Sequence, residues 1–113
     1  MTLNKYVIDI DGTICDKPEC RDDCDYDTSL PKQDRIAAIN KLYDEGHQII
    51  YLTARGMGRY GDNADLARRM FYELTANQLN EWGCKYHKLI LGKPSGDYYI
   101  DDKGINANEF FGD

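Results

Sequence analysis

The chain has 113 residues, room for one domain and one core, and 42% of them are apolar, so a single folded domain over residues 1–113 is expected and disorder is not. A formal charge of -6 argues against a broad nucleic-acid footprint, which needs clustered Lys and Arg, but not against a small phosphorylated ligand held locally. No apolar run approaches the roughly 20 residues that span a bilayer, and the first residues lack a signal-peptide pattern, so the expectation is a cytoplasmic protein with no membrane partner.

In chain order, Tyr6 to Ile10 reads as a short buried strand that runs into two carboxylates, Asp9 and Asp11, followed at once by Gly12 and Thr13. From Gly12 to Leu30 the chain is polar and irregular. Pro31 and Asp34 then supply helix start signals, Ile36, Ile39 and Leu42 recur at helical spacing, and Gly46 ends the helix. "HQIIYLT" is a second buried strand, ending at Thr53 and Arg55. After the loop "ARGMGRYGDN" a long helix is predicted from about Ala64 to Trp82, with Leu66, Met70 and Leu74 on one face. "YHKLILG" is a third strand that runs into Lys93, "DYYIDD" a fourth that ends at Asp101 and Asp102, and "GINANEFF" a short final helix or tail.

Strands alternating with helices predict an α/β fold, a parallel sheet with helices packed on it. In open parallel sheets the functional crevice lies beyond the carboxyl ends of the strands. Four strand ends would bring Asp9, Asp11, Thr53, Arg55, Lys93, Asp101 and Asp102 to one rim. Crowded carboxylates repel, and burying them is costly without a compensating cation. Asp9, Asp11, Asp101 and Asp102 are therefore expected to seat a hard divalent ion, with Mg2+ the natural candidate because it takes oxygen ligands and keeps waters that a phosphate can replace. Lys93 and Thr53 would bind the remaining phosphate oxygens.

With these four segments in this order, "DIDGT" at Asp9 to Thr13, an apolar strand ending in Thr53, "GKP" around Lys93 and "YYIDD" ending at Asp101 and Asp102, the sequence resembles the haloacid dehalogenase (HAD) superfamily of phosphohydrolases. The resemblance implies a single Rossmann-like, HAD-type sheet flanked by helices. It implies that Asp9 is a nucleophile that becomes an aspartyl phosphate and Asp11 the general acid and base. The ion would then be held by Asp9, by the backbone carbonyl of Asp11 and by Asp102, with Asp101 close by. Thr53 and Lys93 would hold the phosphoryl oxygens, together with the neighbouring Ala54 and Arg55, and Gly12 would let the backbone turn beside the phosphate. The intervals between motifs leave no room for a separate cap domain, so the acidic loop Cys15 to Asp27 or a neighbouring subunit of a homo-oligomer would have to screen the open site.

The function expected is a magnesium-dependent phosphatase acting on a phosphomonoester of a small metabolite, with a sugar phosphate of surface-polysaccharide synthesis the family's suggestion. A nucleotidase or polynucleotide 3'-phosphatase is the alternative, and a non-catalytic magnesium-binding module the reading from another class. The literal Gly-x-Gly-x-x-Gly at Gly56 to Gly61 reads as a loop whose Arg55 and Arg59 touch substrate, because no acidic residue ends a strand about 20 positions on. A receiver domain is excluded by motif order. Cys15, Cys20, Cys24 and Cys84 are expected as reduced surface thiols; zinc at Cys15, Cys20 and Cys24 is disfavoured because no Cys-x2-Cys pair is present and His47 and His87 lie beside strands.

Overall fold

Three parallel strands in the order β1-β2-β3 form the sheet: β1 Lys5–Ile8, β2 Gln48–Thr53 and β3 Lys88–Leu91. The structure is a computed structural model that describes residues 2–17 and 25–112. Its register sets Val7 beside Ile50 and Leu52 beside Ile90. Helix α1, Gln33–Asp44, makes the crossover from β1 to β2, and α2, Ala64–Glu81, that from β2 to β3.

Right-handed crossovers that advance in one direction put both helices on the same face of the sheet. The core follows that rule. Ile8, Ile49, Tyr51, Leu89 and Leu91 from alternate strand positions cluster with Ile36 and Ile39 of α1 and with Phe71 and Leu79 of α2. The short α3, Ala107–Phe111, joins the same side, with the Phe110 ring 6.1 Å from that of Tyr6. On the opposite face Val7 is 57% and Ile90 43% exposed.

Helix termini follow their sequence signals. The Asn63 side chain accepts the Leu66 amide at 3.1 Å at the start of α2, and Gly46, at φ 99°, closes α1. Two sequence expectations differ. The buried stripe of α2 is Ala67, Phe71, Thr75, Gln78 and Leu79, not Leu66, Met70 and Leu74, and Met70 faces outward. The stripe turns by one residue because the Phe71 ring is needed against Tyr26, 5.1 Å away, and against the Gly56 backbone.

The second difference is the fourth strand. Residues 97–102 pair with nothing as a strand, and Tyr98 and Ile100 stand 86% and 95% exposed. Chain length explains this, since a further parallel strand needs a crossover of about 10 residues or more to return to the amino end of the sheet. Only residues 92–96 separate β3 from that segment.

Candidate active site

Asp9 and Asp11 follow β1 directly, and the turn after them is built from backbone: Thr13 and Ile14 amides both donate to the Ile10 carbonyl, at 3.0 and 2.9 Å. Gly12 takes φ 83° there, a conformation that L side chains avoid. The Thr13 hydroxyl donates to the Asp9 carboxylate at 3.2 Å, and the Lys93 ammonium lies 3.6 Å from its other oxygen. Burial is the largest influence on Asp9 and raises its pKa above the ordinary 3.8, with the Lys93 charge and the Thr13 hydrogen bond pulling the other way. The carboxylate is thus partly desolvated yet faces a cation, which suits a nucleophile.

Asp11 is engaged differently. Its two oxygens accept a forked pair of bonds from Arg55, at 3.0 Å from Nε and 2.9 Å from Nη2. Arg55, expected to touch substrate, is instead 1% exposed. Its Nη1 donates to Thr75 at 3.2 Å and to Gln78 at 2.5 Å, and its guanidinium lies 4.7 Å from the centre of the Tyr26 ring. A buried guanidinium satisfied on every side anchors Asp11 to α2. Arg59 lies over the Phe71 ring at 5.2 Å.

Thr53 is buried at the end of β2, where its hydroxyl accepts the Arg55 amide at 3.2 Å and its carbonyl accepts the Lys93 amide at 3.2 Å. Ala54 starts the following turn, its carbonyl accepting the Met57 amide at 2.9 Å. Lys93 also lies over the Tyr99 ring, 4.2 Å from its centre. Three strand ends therefore converge: Asp9 and Asp11 after β1, Thr53 to Arg55 after β2 and Lys93 after β3.

Asp101 and Asp102 do not join them as ligands. Asp101 turns back on its own loop, accepting the Lys103 and Gly104 amides at 2.7 and 2.5 Å, and both residues are exposed. Among the described residues no group of three or more His, Cys, Asp or Glu side chains is gathered to hold a metal. Asp9 and Asp11 fit a magnesium ion in kind, but a single chain does not assemble the expected set of four carboxylates.

The cysteine expectation also changes. Cys15 and Cys84 are free but buried, not surface thiols, and Cys20 and Cys24 lie outside the described residues. The Cys15 thiol donates to the Ile10 carbonyl at 3.6 Å and the Asp11 carboxylate at 3.4 Å, and burial pushes its pKa up to about 12. His47 and His87 accept the Asn4 and Ile49 amides through Nδ1, both at 3.0 Å, and so serve the starts of strands.

Sequence reasoning missed the ring of groups that holds the site. Arg35 of α1 is buried, donates to the Thr13 carbonyl at 3.0 Å and to Asn108 at 2.8 Å, and so ties the Asp9 turn to α3. Tyr26 accepts the Gly56 amide on its hydroxyl at 3.1 Å and the Gln78 side chain on its carbonyl. The usable signal was a charged or amide residue inside an apolar helical stripe, as Arg35 beside Ile36 and Gln78 beside Leu79.

Fold and strand ends together define a small α/β protein with a three-stranded parallel sheet and an acidic, lysine-faced rim. Among solved structures it is similar to the crystal structure of a structural-genomics target from Vibrio cholerae, at 27% identity and a TM-score of 0.84, covering 96% of this chain and 88% of that one. No family model and no curated protein matches the chain. Among the described residues no helix is long and apolar enough to cross a membrane.

Proposed function

We propose that this protein is a HAD-type phosphatase that hydrolyses a phosphomonoester of a small metabolite through an aspartyl phosphate, with magnesium as the ion that the resemblance brings with it. The observation that carries the reading is the pairing of a half-buried Asp9 carboxylate with the Lys93 ammonium at 3.6 Å, on two separate strand ends of one parallel sheet. A phosphoryl group set against Asp9 has its oxygens beside Lys93, which offsets the charge that builds up as the bond to the leaving oxygen breaks. Asp9 attacks phosphorus as the bond to the leaving oxygen breaks, that oxygen takes the proton held by Asp11, and Asp11 then takes a proton from the water that attacks the aspartyl phosphate, releasing phosphate and the Asp9 carboxylate. Since both Asp11 oxygens accept from Arg55, one of those bonds must open for Asp11 to carry a proton. Arg55 acts as a positioning residue for it.

The test is phosphate release from an aryl phosphate and from a panel of sugar phosphates, nucleotides and a 3'-phosphorylated oligonucleotide. Turnover is expected with added magnesium, absent after chelation and absent in Asp9→Asn, while Lys93→Ala should lower kcat by about 100-fold. Activity retained in Asp9→Asn would sink the assignment. Because attack needs the ionised carboxylate, activity should fall on the acid side of the pH profile as Asp9 takes up a proton.

A further inference from the structure

A parallel sheet normally has both faces covered. Here the helices among the described residues lie on one face, and the other presents Val7 and Ile90 to solvent from the two outer strands, on either side of the buried Ile50 of β2. β1 is an edge strand, so its outer row of amides and carbonyls has no partner strand among the described residues. Beside these two open surfaces the chain carries an unburied apolar segment, with Tyr98, Ile100 and Ile105 at 86%, 95% and 64% exposure. The open edge and the exposed apolar segment are complementary in kind.

The segment cannot satisfy its own β1 in the useful direction. It leads into α3, which packs on Tyr6 and Arg35, and it leaves β3 at the rim, at the far edge of the sheet from β1, through residues 92–96 alone. That is too short for a crossover to the amino end, so within one chain it could lie only antiparallel to β1. Antiparallel pairing would carry Asp101 and Asp102 about 10 Å or more from the rim, at 3.3 Å per residue. A second copy of the chain has no such restriction.

We propose that two copies of this chain exchange residues 97–112, each laying residues 97–102 parallel to the outer edge of the other's β1, with α3 then making its contacts to Tyr6 and Arg35 on that other copy. The exchange buries Tyr98 and Ile100, pairs the free edge and brings Asp101 and Asp102 of one copy to Asp9 and Asp11 of the other. The acidic set that one chain leaves dispersed is then complete only in the pair. Delivery of the two carboxylates rests on the phosphatase reading; the exchange itself rests on the open edge, the exposed apolar segment and the length of the connection.

Light scattering on the full chain separates these. The expected mass is 26 kDa, twice the 13.0 kDa chain. Ile100→Asp should reduce it to that of one chain with an unchanged far-ultraviolet circular dichroism spectrum, because in a single copy Ile100 touches almost nothing. A monomeric wild type, or an Ile100→Asp variant that associates as tightly as wild type, overturns the exchange. For the shared site, Asp9→Asn and Asp102→Asn, each inactive, are unfolded together and refolded as a mixture. Roughly a quarter of wild-type phosphate release should return, since half the dimers are mixed and each holds one intact site. Active wild type with no recovery in the mixture refutes the shared site and leaves the phosphatase standing. A dimer lost in Ile100→Asp, with no phosphoester turned over by wild type, refutes the phosphatase and leaves the exchange standing.

Discussion

Arg55 gives up nearly all its accessible surface to hold Asp11, Thr75 and Gln78, and its charge is tolerable only because Asp11 answers it with two hydrogen bonds. Removing one member of such a buried pair strands the other. Arg55→Met is therefore expected to cost about 3–5 kcal/mol in urea unfolding, and Arg55→Lys to recover only part, because an ammonium cannot make the forked contact. Combined with Asp11→Asn the loss should be well below the sum of the single losses, a double-mutant cycle being the measurement. The thiols give a second prediction. Alkylation needs the thiolate, and burial raises Cys15 to about 12 and Cys84 to about 11, so at pH 8 both should resist iodoacetamide until the protein is unfolded, as read by mass spectrometry of their peptides. A strand ending in Asp-x-Asp-Gly-Thr was legible in the sequence as a chemical site. That Arg55 would serve beneath it and not on its surface was not, because an arginine after a strand reads the same whether it faces solvent or a helix.

Among the elements, α2 shows where periodicity runs out. Leu66, Met70 and Leu74 and the row Ala67, Phe71 and Gln78 are both spaced for a helix face, and they lie about 100° apart around its axis. Spacing places the helix but does not set its rotation. The contact that decides is Phe71 against Gly56, which sits at φ 80° and where an added Cβ would come 2.6 Å from the Phe71 ring. Gly56→Ala is expected to destabilise by about 2–4 kcal/mol from backbone strain and overpacking together, and Phe71→Leu in that background should return part of the loss in thermal unfolding. This also explains the Gly-x-Gly-x-x-Gly at Gly56 to Gly61. Its first glycine is a packing position under α2, whatever its likeness to a dinucleotide motif.

Across a single chain, β2 is the only strand among the described residues paired on both sides, and its Ile49 and Tyr51 lie in the core. In the monomeric Ile100→Asp variant the β2 amides should exchange slowest, those of β1 and β3 faster and those of 97–106 first, as hydrogen exchange read by mass spectrometry would show. The amino-acid order by itself determined the α/β class, the three strands, both long helices to within a residue or two, and the strand ends that carry Asp9, Thr53 and Lys93, because apolar period and punctuation by Gly, Pro and Asn are local properties. The tertiary structure alone decided that both crossover helices share one face, that Arg55 and Cys15 are buried, and that "DYYIDD" forms no strand. Each depends on what lies across the sheet or on how far five linking residues can reach, and neither is written in the segment itself.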